Sequence, residues 1–176
     1  MKIKKIAQLC KQEGVADLLN YASPSGCVTQ WITDGRAIFP VEGLPYLRAE
    51  NLPSLLELNE KQQEKMHIRE REAPPSISFS DTEDGEKAAV QQRVSVNYGG
   101  RELMPLVVPG VGTRWVDRAL LAPIFAEYEN VELTLRRSTA GGTEIIAAKA
   151  GFMLVGLVLP MTNMDELHRV LLAIVE

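Results

Sequence analysis

Only two cysteines and two histidines occur among the 176 residues, and that scarcity excludes several kinds of chemistry at the outset. Two thiols, Cys10 and Cys27, are too few for a disulfide-built secreted scaffold, so both read as small reduced core residues of a cytoplasmic protein. No histidine stands at metal-ligand spacing from either, so no metal or other cofactor is expected. His67 reads as a strand residue and His168 as a solvated residue of a last helix. Neither neighbours a serine or cysteine in a nucleophile motif. The longest apolar run, Phe152 to Pro160, is far too short to span a bilayer. Met1-Lys2-Ile3-Lys4-Lys5 has the charge of a leader but not its apolar stretch, because Gln8, Lys11, Gln12 and Glu13 interrupt. A net charge of −4 argues against a protein coated in lysine for nucleic acid, but leaves room for a local basic face.

What is present is a chain that can bury a core: 45% of its residues are hydrophobic and 24% charged. Lys2 to Asn20 reads as a helix with Ile3, Ile6, Ala7 and Cys10 on one stripe, ended or interrupted at Gly14. Cys27 to Thr33 reads as a strand, Asp34-Gly35 as its hairpin turn, and Arg36 to Val41 as the return. Asn51 and Pro53 suit a helix start, with Leu52, Leu55 and Leu56 inward. Glu60 to Lys65 reads as a solvated helix and His67 to Arg71 as a strand. A mobile polar connection over 73–93 then divides the single domain, 1–176, into two packed repeats, 1–72 and 94–176. Ile77 and Phe79 within it could form a short edge strand.

In the second half, Val94 to Tyr98 and Arg101 to Val108 make a hairpin about Gly99-Gly100. Trp115 to Tyr128 reads as a helix, with Pro123 as a breaker or as the start of a shorter one. Val131 to Arg136 alternates, Ala140-Gly141-Gly142 turns, Thr143 to Lys149 returns, and Phe152 to Leu159 is apolar on both faces, as a central strand should be. Thr162 to Glu176 reads as a final helix with Met164, Leu167, Val170, Leu171 and Ile174 on one stripe. Strands and helices come in separate runs, so the class is α+β.

Several other stretches invite chemistry and do not carry it. Asp81 to Glu86 misses the EF-hand frame, because glycine falls at position five and Gln92 stands where the closing glutamate belongs. Gly99-Gly100 and Gly141-Gly142 join strands, whereas phosphate loops open helices. Gly110-Val111-Gly112-Thr113-Arg114 is read as preceding a helix, yet it lacks the Lys-Ser/Thr ending of a P-loop and reads as an ordinary turn.

The helix with Ala119-Leu120-Leu121, the strand Val131-Glu132-Leu133-Thr134-Leu135, its return, and a last strand ending Leu159-Pro160-Met161 together resemble the final repeat of a bacterial DNA sliding clamp. Ile32-Thr33-Asp34-Gly35-Arg36 resembles the Thr-Asp-Gly segment of clamp domains. The two matches cover about a third of the chain and stand in the right order. The resemblance implies a DNA-clamp-like fold of two helix-plus-antiparallel-strand units, here with an added C-terminal helix. It also implies a non-enzymatic protein whose partners are double-stranded DNA and replication proteins.

On that reading Lys4, Lys5, Lys11, Arg114 and Arg118 lie on helices facing DNA and touch phosphates without reading sequence. Val158, Leu159, Pro160 and Met161 match the tail that borders a partner-peptide pocket in clamps. The final helix, which clamps lack, is expected to fold back and cover that pocket. The polar insertion at Glu57 to Glu86 and the proline at 123 also depart from the family. A chain this short must form a homo-oligomer to encircle anything. Two other readings stay open: a protein–protein interaction or scaffold protein with no nucleic-acid role, and an enzyme with an unrecognised site. No small-molecule substrate and no membrane partner is indicated.

Overall fold

The computed structural model describes residues 2–138, 142–164 and Arg169. The chain is α+β. In order it forms α1 (Lys2–Glu13), β1 (Val15–Ala22), β2 (Val28–Thr33), β3 (Ala37–Pro40), α2 (Leu52–Leu55), α3 (Glu60–Lys65) and β4 (His67–Glu72). Then come β5 (Lys87–Ala88), β6 (Val90–Gln91), β7 (Val96–Tyr98), β8 (Arg101–Val108), β9 (Gly112–Asp117), α4 (Arg118–Phe125), β10 (Val131–Arg137), β11 (Glu144–Ala150) and β12 (Met153–Val158). Among the described residues no helix is long and apolar enough to cross a membrane.

One large sheet runs in the order β4-β1-β2-β3-β12-β11-β10-β5, and a smaller one holds β6, β8 and β7 with β9 on β8. Within the large sheet the chain repeats itself. α1 leads into the antiparallel set β1-β2-β3, and α4 leads into the antiparallel set β10-β11-β12. The two sets join through an antiparallel pair, Leu157 opposite Ile38 and Val158 opposite Ala37. Both helices lie on one face. Lys2 reaches Tyr128 just past the end of α4, while Arg36 bridges Glu13 at the end of α1 to Asp117 at the start of α4. The helices therefore run antiparallel.

Strand alternation explains how this sheet carries a core on each side. Leu18, Ile32, Phe39, Ile146 and Val155 face Ile6, Leu9 and Cys10 of α1 and Leu120, Leu121 and Ile124 of α4. Leu19, Trp31, Ile38, Ile145 and Leu157 face the other way. Burying a side chain such as Ile6 or Leu9 contributes about 1.5–3 kcal/mol, so α1 is held by its apolar stripe more than by intrinsic helix propensity. α4 comes closest to the sheet at Gly156, where a Cβ would stand 2.4 Å from the Ile124 Cδ1 atom. As expected for a central strand, β12 is paired on both sides and buried from Leu154 to Val158.

The second face is covered by the polar segment that follows β4. Phe79 is 5% exposed and stacks on Tyr21, with its ring at 5.1 Å from that of Trp31. Ala73 N–H donates to Asn20, and Leu154 N–H donates to the Asp81 carboxylate at 2.8 Å. Arg136 donates to Glu86 and to the Ser80 and Asp81 carbonyls, and Lys149 pairs with the other oxygen of Glu86. Segment 73–86 is thus fastened across the sheet through one aromatic anchor and a set of charge-assisted bonds. Ile77 and Phe79 belong to no strand, because their neighbours bond through side chains and turns instead of a ladder.

Three sequence expectations are corrected. The first helix stops at Glu13, and Val15 to Leu19 continues as strand, not as a further turn. Gly14 takes φ 69° and its N–H caps the Cys10 carbonyl at 2.8 Å, a left-handed close that only glycine makes at little cost. Residues 112–117 are strand, paired in register with Leu103 to Val108, so the helix expected from Trp115 begins only at Arg118. Asp117 sets that start by accepting the Ala119 N–H at 3.0 Å. Asn51 and Pro53 do mark a helix start, with Asn51 at the N-cap position of α2 and Pro53 in its first turn, but the Asn51 side chain makes no bond to α2 and instead accepts the Arg48 N–H across the preceding 3₁₀ turn. The Ala140-Gly141 part of the β10–β11 turn, and the stripe Leu167, Val170, Leu171 and Ile174 of the final helix, lie outside the described residues. So does His168, whereas His67 stands in β4 as expected; of the two cysteines expected in the core, Cys10 is buried but Cys27, in the turn before β2, is exposed.

Candidate functional site: a helix face and a tail groove

The five basic residues expected on helices divide into two places. Lys4 and Lys5 lie on the first turns of α1, and Lys11 on its last. Lys4 is exposed together with Gln8 and Gln12, one helical row of polar ends aimed at solvent. Lys5 and Lys11 are half-buried, and Lys11 Nζ donates to the Glu57 carbonyl at 3.3 Å, which leaves its charge at the helix margin. Lys2, not singled out from the sequence, sits at the same end over the Tyr128 ring at 5.1 Å. Burial lowers the Lys2 pKa, and burial together with Glu42 raises that of the Tyr128 hydroxyl, which donates to Glu42 at 2.7 Å.

On α4 the outward strip is smoother, with Ala119 and Ala122 between Arg118 and Phe125. Arg118 Nη1 donates to Glu102 at 2.7 Å, and that bond lowers the pKa of Glu102. Arg114 is not on a helix at all. It stands in β9, where two of its nitrogens bond both oxygens of Glu144. This fork depresses the Glu144 carboxyl and raises the guanidinium. Of the expected phosphate-facing set, the fold keeps Lys4 and Lys5 together on the first turns of α1, puts Lys11 on its last turn at the end where Arg118 starts α4 against a carboxylate, and moves Arg114 to another surface.

Arg118 borders an open cleft of about 500 Å³ between the end of α1, the start of α4 and the β7–β8 turn. Its wall is an ion cluster that the sequence did not signal. Arg36 lies 2.9 Å from Glu13, 3.6 Å from the buried Asp34 and 3.3 Å from the buried Asp117. Arg101 approaches Glu13 and Asp117 at 3.8 and 3.9 Å. Asp34 Oδ1 also accepts the N–H groups of Arg36 and Ala37, fixing the β2–β3 turn that delivers the guanidinium. The Asp-Gly turn marked the hairpin in the sequence; that its arginine reaches the cap of a helix 81 positions on could not be read there.

The tail residues form a second feature. β12 ends at Val158, and Met161 then makes an isolated bridge with Trp115 of β9. Leu159, Pro160 and Met161, with Trp115, Arg114 and Met164, line a groove of about 700 Å³. Val158 does not line it, since its side chain is fully buried against the helices. Gly110 and Gly112 turn β8 into β9, so the sequence around them opens no helix and offers no anion site of that kind. Among the described residues no group of histidines, cysteines and carboxylates could hold a metal ion.

Comparison of the chain with protein-family models, with curated proteins and with solved structures finds no match.

Proposed function

We propose that the chain is a non-enzymatic binding module built on the plan of a sliding-clamp domain, with its α1–α4 face turned to double-stranded DNA. The observation that carries this reading is the internal repetition. A helix followed by three antiparallel strands occurs twice, the two sets join through β3 and β12, and the two helices lie antiparallel on one face. That is the two-unit plan that the resemblance implies. The face is also chemically suited to phosphate. It carries Lys4, Lys5 and Lys11 beside a strip of small residues, and small residues allow close approach of a backbone.

The contact would be asymmetric. At the α1 N-terminal end Lys4 and Lys5 share the first turns with Lys2, which has Glu42 and Glu127 near it, whereas Glu13, Glu102 and Asp117 oppose phosphate at the cleft end, where Lys11 lies. Duplex binding is accordingly assigned to the α1 lysines and not to Arg118 or Arg114. Fluorescence anisotropy with duplexes of unrelated sequence at low salt tests this. The wild type should bind them alike, Lys4→Glu should weaken binding about tenfold or more, and Arg114→Gln should leave it unchanged. Equal binding by wild type and Lys4→Glu would remove the assignment.

A second reading, a protein–protein module, is favoured by the groove at Leu159, Pro160 and Met161. It is an apolar trough with one fixed guanidinium at its rim, a form suited to a short peptide. The expectation that the final helix covers this groove concerns residues outside those described.

A further inference from the structure

Segment 73–86 joins β4 to β5 and lies on the second face of the large sheet without adding a strand to it. Among the described residues, the only bonds between main-chain groups made by residues 74–86 are internal, Ile77 N–H to Pro74 and Glu86 N–H to Glu83. Side chains do the fastening. Phe79 packs on Tyr21 and Trp31, the Asp81 carboxylate accepts the Leu154 N–H, and Glu86 accepts from Thr134, Arg136 and Lys149. The first part is packed incompletely, since Pro74 and Ile77 border a pocket of about 100 Å³ together with Leu19, Ile38, Ile145 and Leu157. A segment held by side chains over a gap can open as a unit while the strands beneath it stay paired.

We infer that segment 73–86 is a built-in competitor for a docking site on this face, and that the site takes an extended segment of another protein in which an aromatic residue is followed by carboxylates. What the sheet itself contributes selects that chemistry. Arg136 is 3% exposed and Lys149 8% exposed, both beneath the segment. With the segment away, Lys149 loses Glu86, and Arg136 loses Glu86, Glu83 and the Ser80 and Asp81 carbonyls. Glu132 stands opposite Lys149 in the ladder but, among the described residues, makes no ion pair with it. Two cations against one carboxylate on an otherwise apolar face call for an acidic occupant and repel a basic one. The Leu154 N–H adds a donor, and Tyr21 with Trp31 supplies an aromatic seat. The resident segment meets each of these features: it holds Phe79, Asp81, Glu83, Asp84 and Glu86 and no lysine or arginine. A partner that displaces it must do the same, with the aromatic residue placed ahead of the carboxylates as Phe79 is ahead of Asp81 and Glu86. The inference goes beyond the DNA reading and rests neither on it nor on the groove at Leu159.

Two measurements on the full chain test this. Hydrogen exchange of the wild type reads the opening. The Leu154 amide, whose acceptor is Asp81, should exchange about tenfold or more faster than the ladder amides of Ile146 and Ala148 in β11. Equal rates, set by unfolding of the whole domain, would make the segment a permanent cover and overturn the inference. Fluorescence anisotropy with a labelled synthetic peptide of residues 73–86 reads the docking. The double variant Phe79→Ala, Glu86→Gln weakens the resident segment, and it should bind the peptide about tenfold or more tightly than the wild type does. A peptide carrying Phe79→Ala and Asp81→Asn should bind that variant about tenfold more weakly. Asp81→Asn with Glu86→Gln in the chain serves as a second variant, and circular dichroism confirms that each is folded. A folded variant that does not take up the peptide, or that takes up the altered peptide equally well, would overturn the inference. If neither variant folds, exchange in the wild type decides alone. None of these readouts involves nucleic acid, so duplex binding is judged separately.

Discussion

Replacing Gly156 by alanine tests how α4 is seated on the sheet. The added methyl would stand 2.4 Å from Ile124 Cδ1 and 3.1 Å from its Cγ1, and 3.5 Å from the Ile38 carbonyl. Ile124 is 0% exposed and enclosed by the main core, so its chain end has no solvent to move into. Overpacking of this kind costs about 1–3 kcal/mol. For a domain of this size each kcal/mol corresponds to roughly 2–4 °C, so Gly156→Ala should melt several degrees below the wild type. Ile124→Val removes the nearest atom and by itself costs about 0.5–1.5 kcal/mol. The double variant should then lose clearly less than the sum of the two single losses, because removing Cδ1 relieves the closest contact and leaves only the tighter-than-usual 3.1 Å approach to Cγ1. Thermal or urea unfolding of the four proteins completes the cycle. Strictly additive losses would mean that α4 does not press on β12 at this point, and the close approach would have to be abandoned.

Other consequences follow from buried titratable and charged groups. Burial pushes the Cys10 thiol up to about 12, so it should resist a thiol reagent that labels Cys27 at once, giving one fast equivalent in the native protein and two on unfolding. The sign for stability is fixed by the same shift: the folded state holds the proton more tightly, so the contribution is complete below about 9.0 and is lost as pH rises towards 12, a decline that Cys10→Ala should reduce in alkaline melts. Asp17 is 1% exposed and bonded by both Arg69 and Arg71, so losing either arginine should cost less than half of what the double alanine variant costs, which strips a buried carboxylate of both ion pairs, as read in urea unfolding. Phe79→Ala should cost about 3–5 kcal/mol and free segment 73–86 to proteolysis, because that ring is the segment's apolar anchor on Trp31 and Tyr21.

Much of the architecture was legible wherever local chemistry and tertiary packing agree. The hairpins at Asp34-Gly35 and Gly99-Gly100, the paired strands near the end of the chain and the apolar central strand rest on turn residues and period-two patterns, and those signals are local. Two errors had one cause. Val15 to Leu19 and Trp115 to Asp117 carry residues that suit helix or strand almost equally, and pairing with β2 and β4 in one case and β8 in the other decided the outcome. The second error carried Arg114 onto a helix face, where strand alternation turns it to Glu144 instead. The ion cluster about Arg36 was invisible because its members come from four distant elements. Likewise the anchoring role of Phe79 was hidden in a polar stretch, where a lone aromatic has no periodicity to announce its burial.

The salt dependence of duplex binding tests the central claim most directly. If Lys4, Lys5 and Lys11 each neutralise a phosphate, the logarithm of the association constant should fall against the logarithm of salt concentration with a slope of about −3. Replacing Lys4 by glutamine should reduce the magnitude of that slope by about one, equally for every duplex sequence. A wild type with no measurable affinity at low salt, or a slope that Lys4→Gln leaves unaltered, would contradict the account.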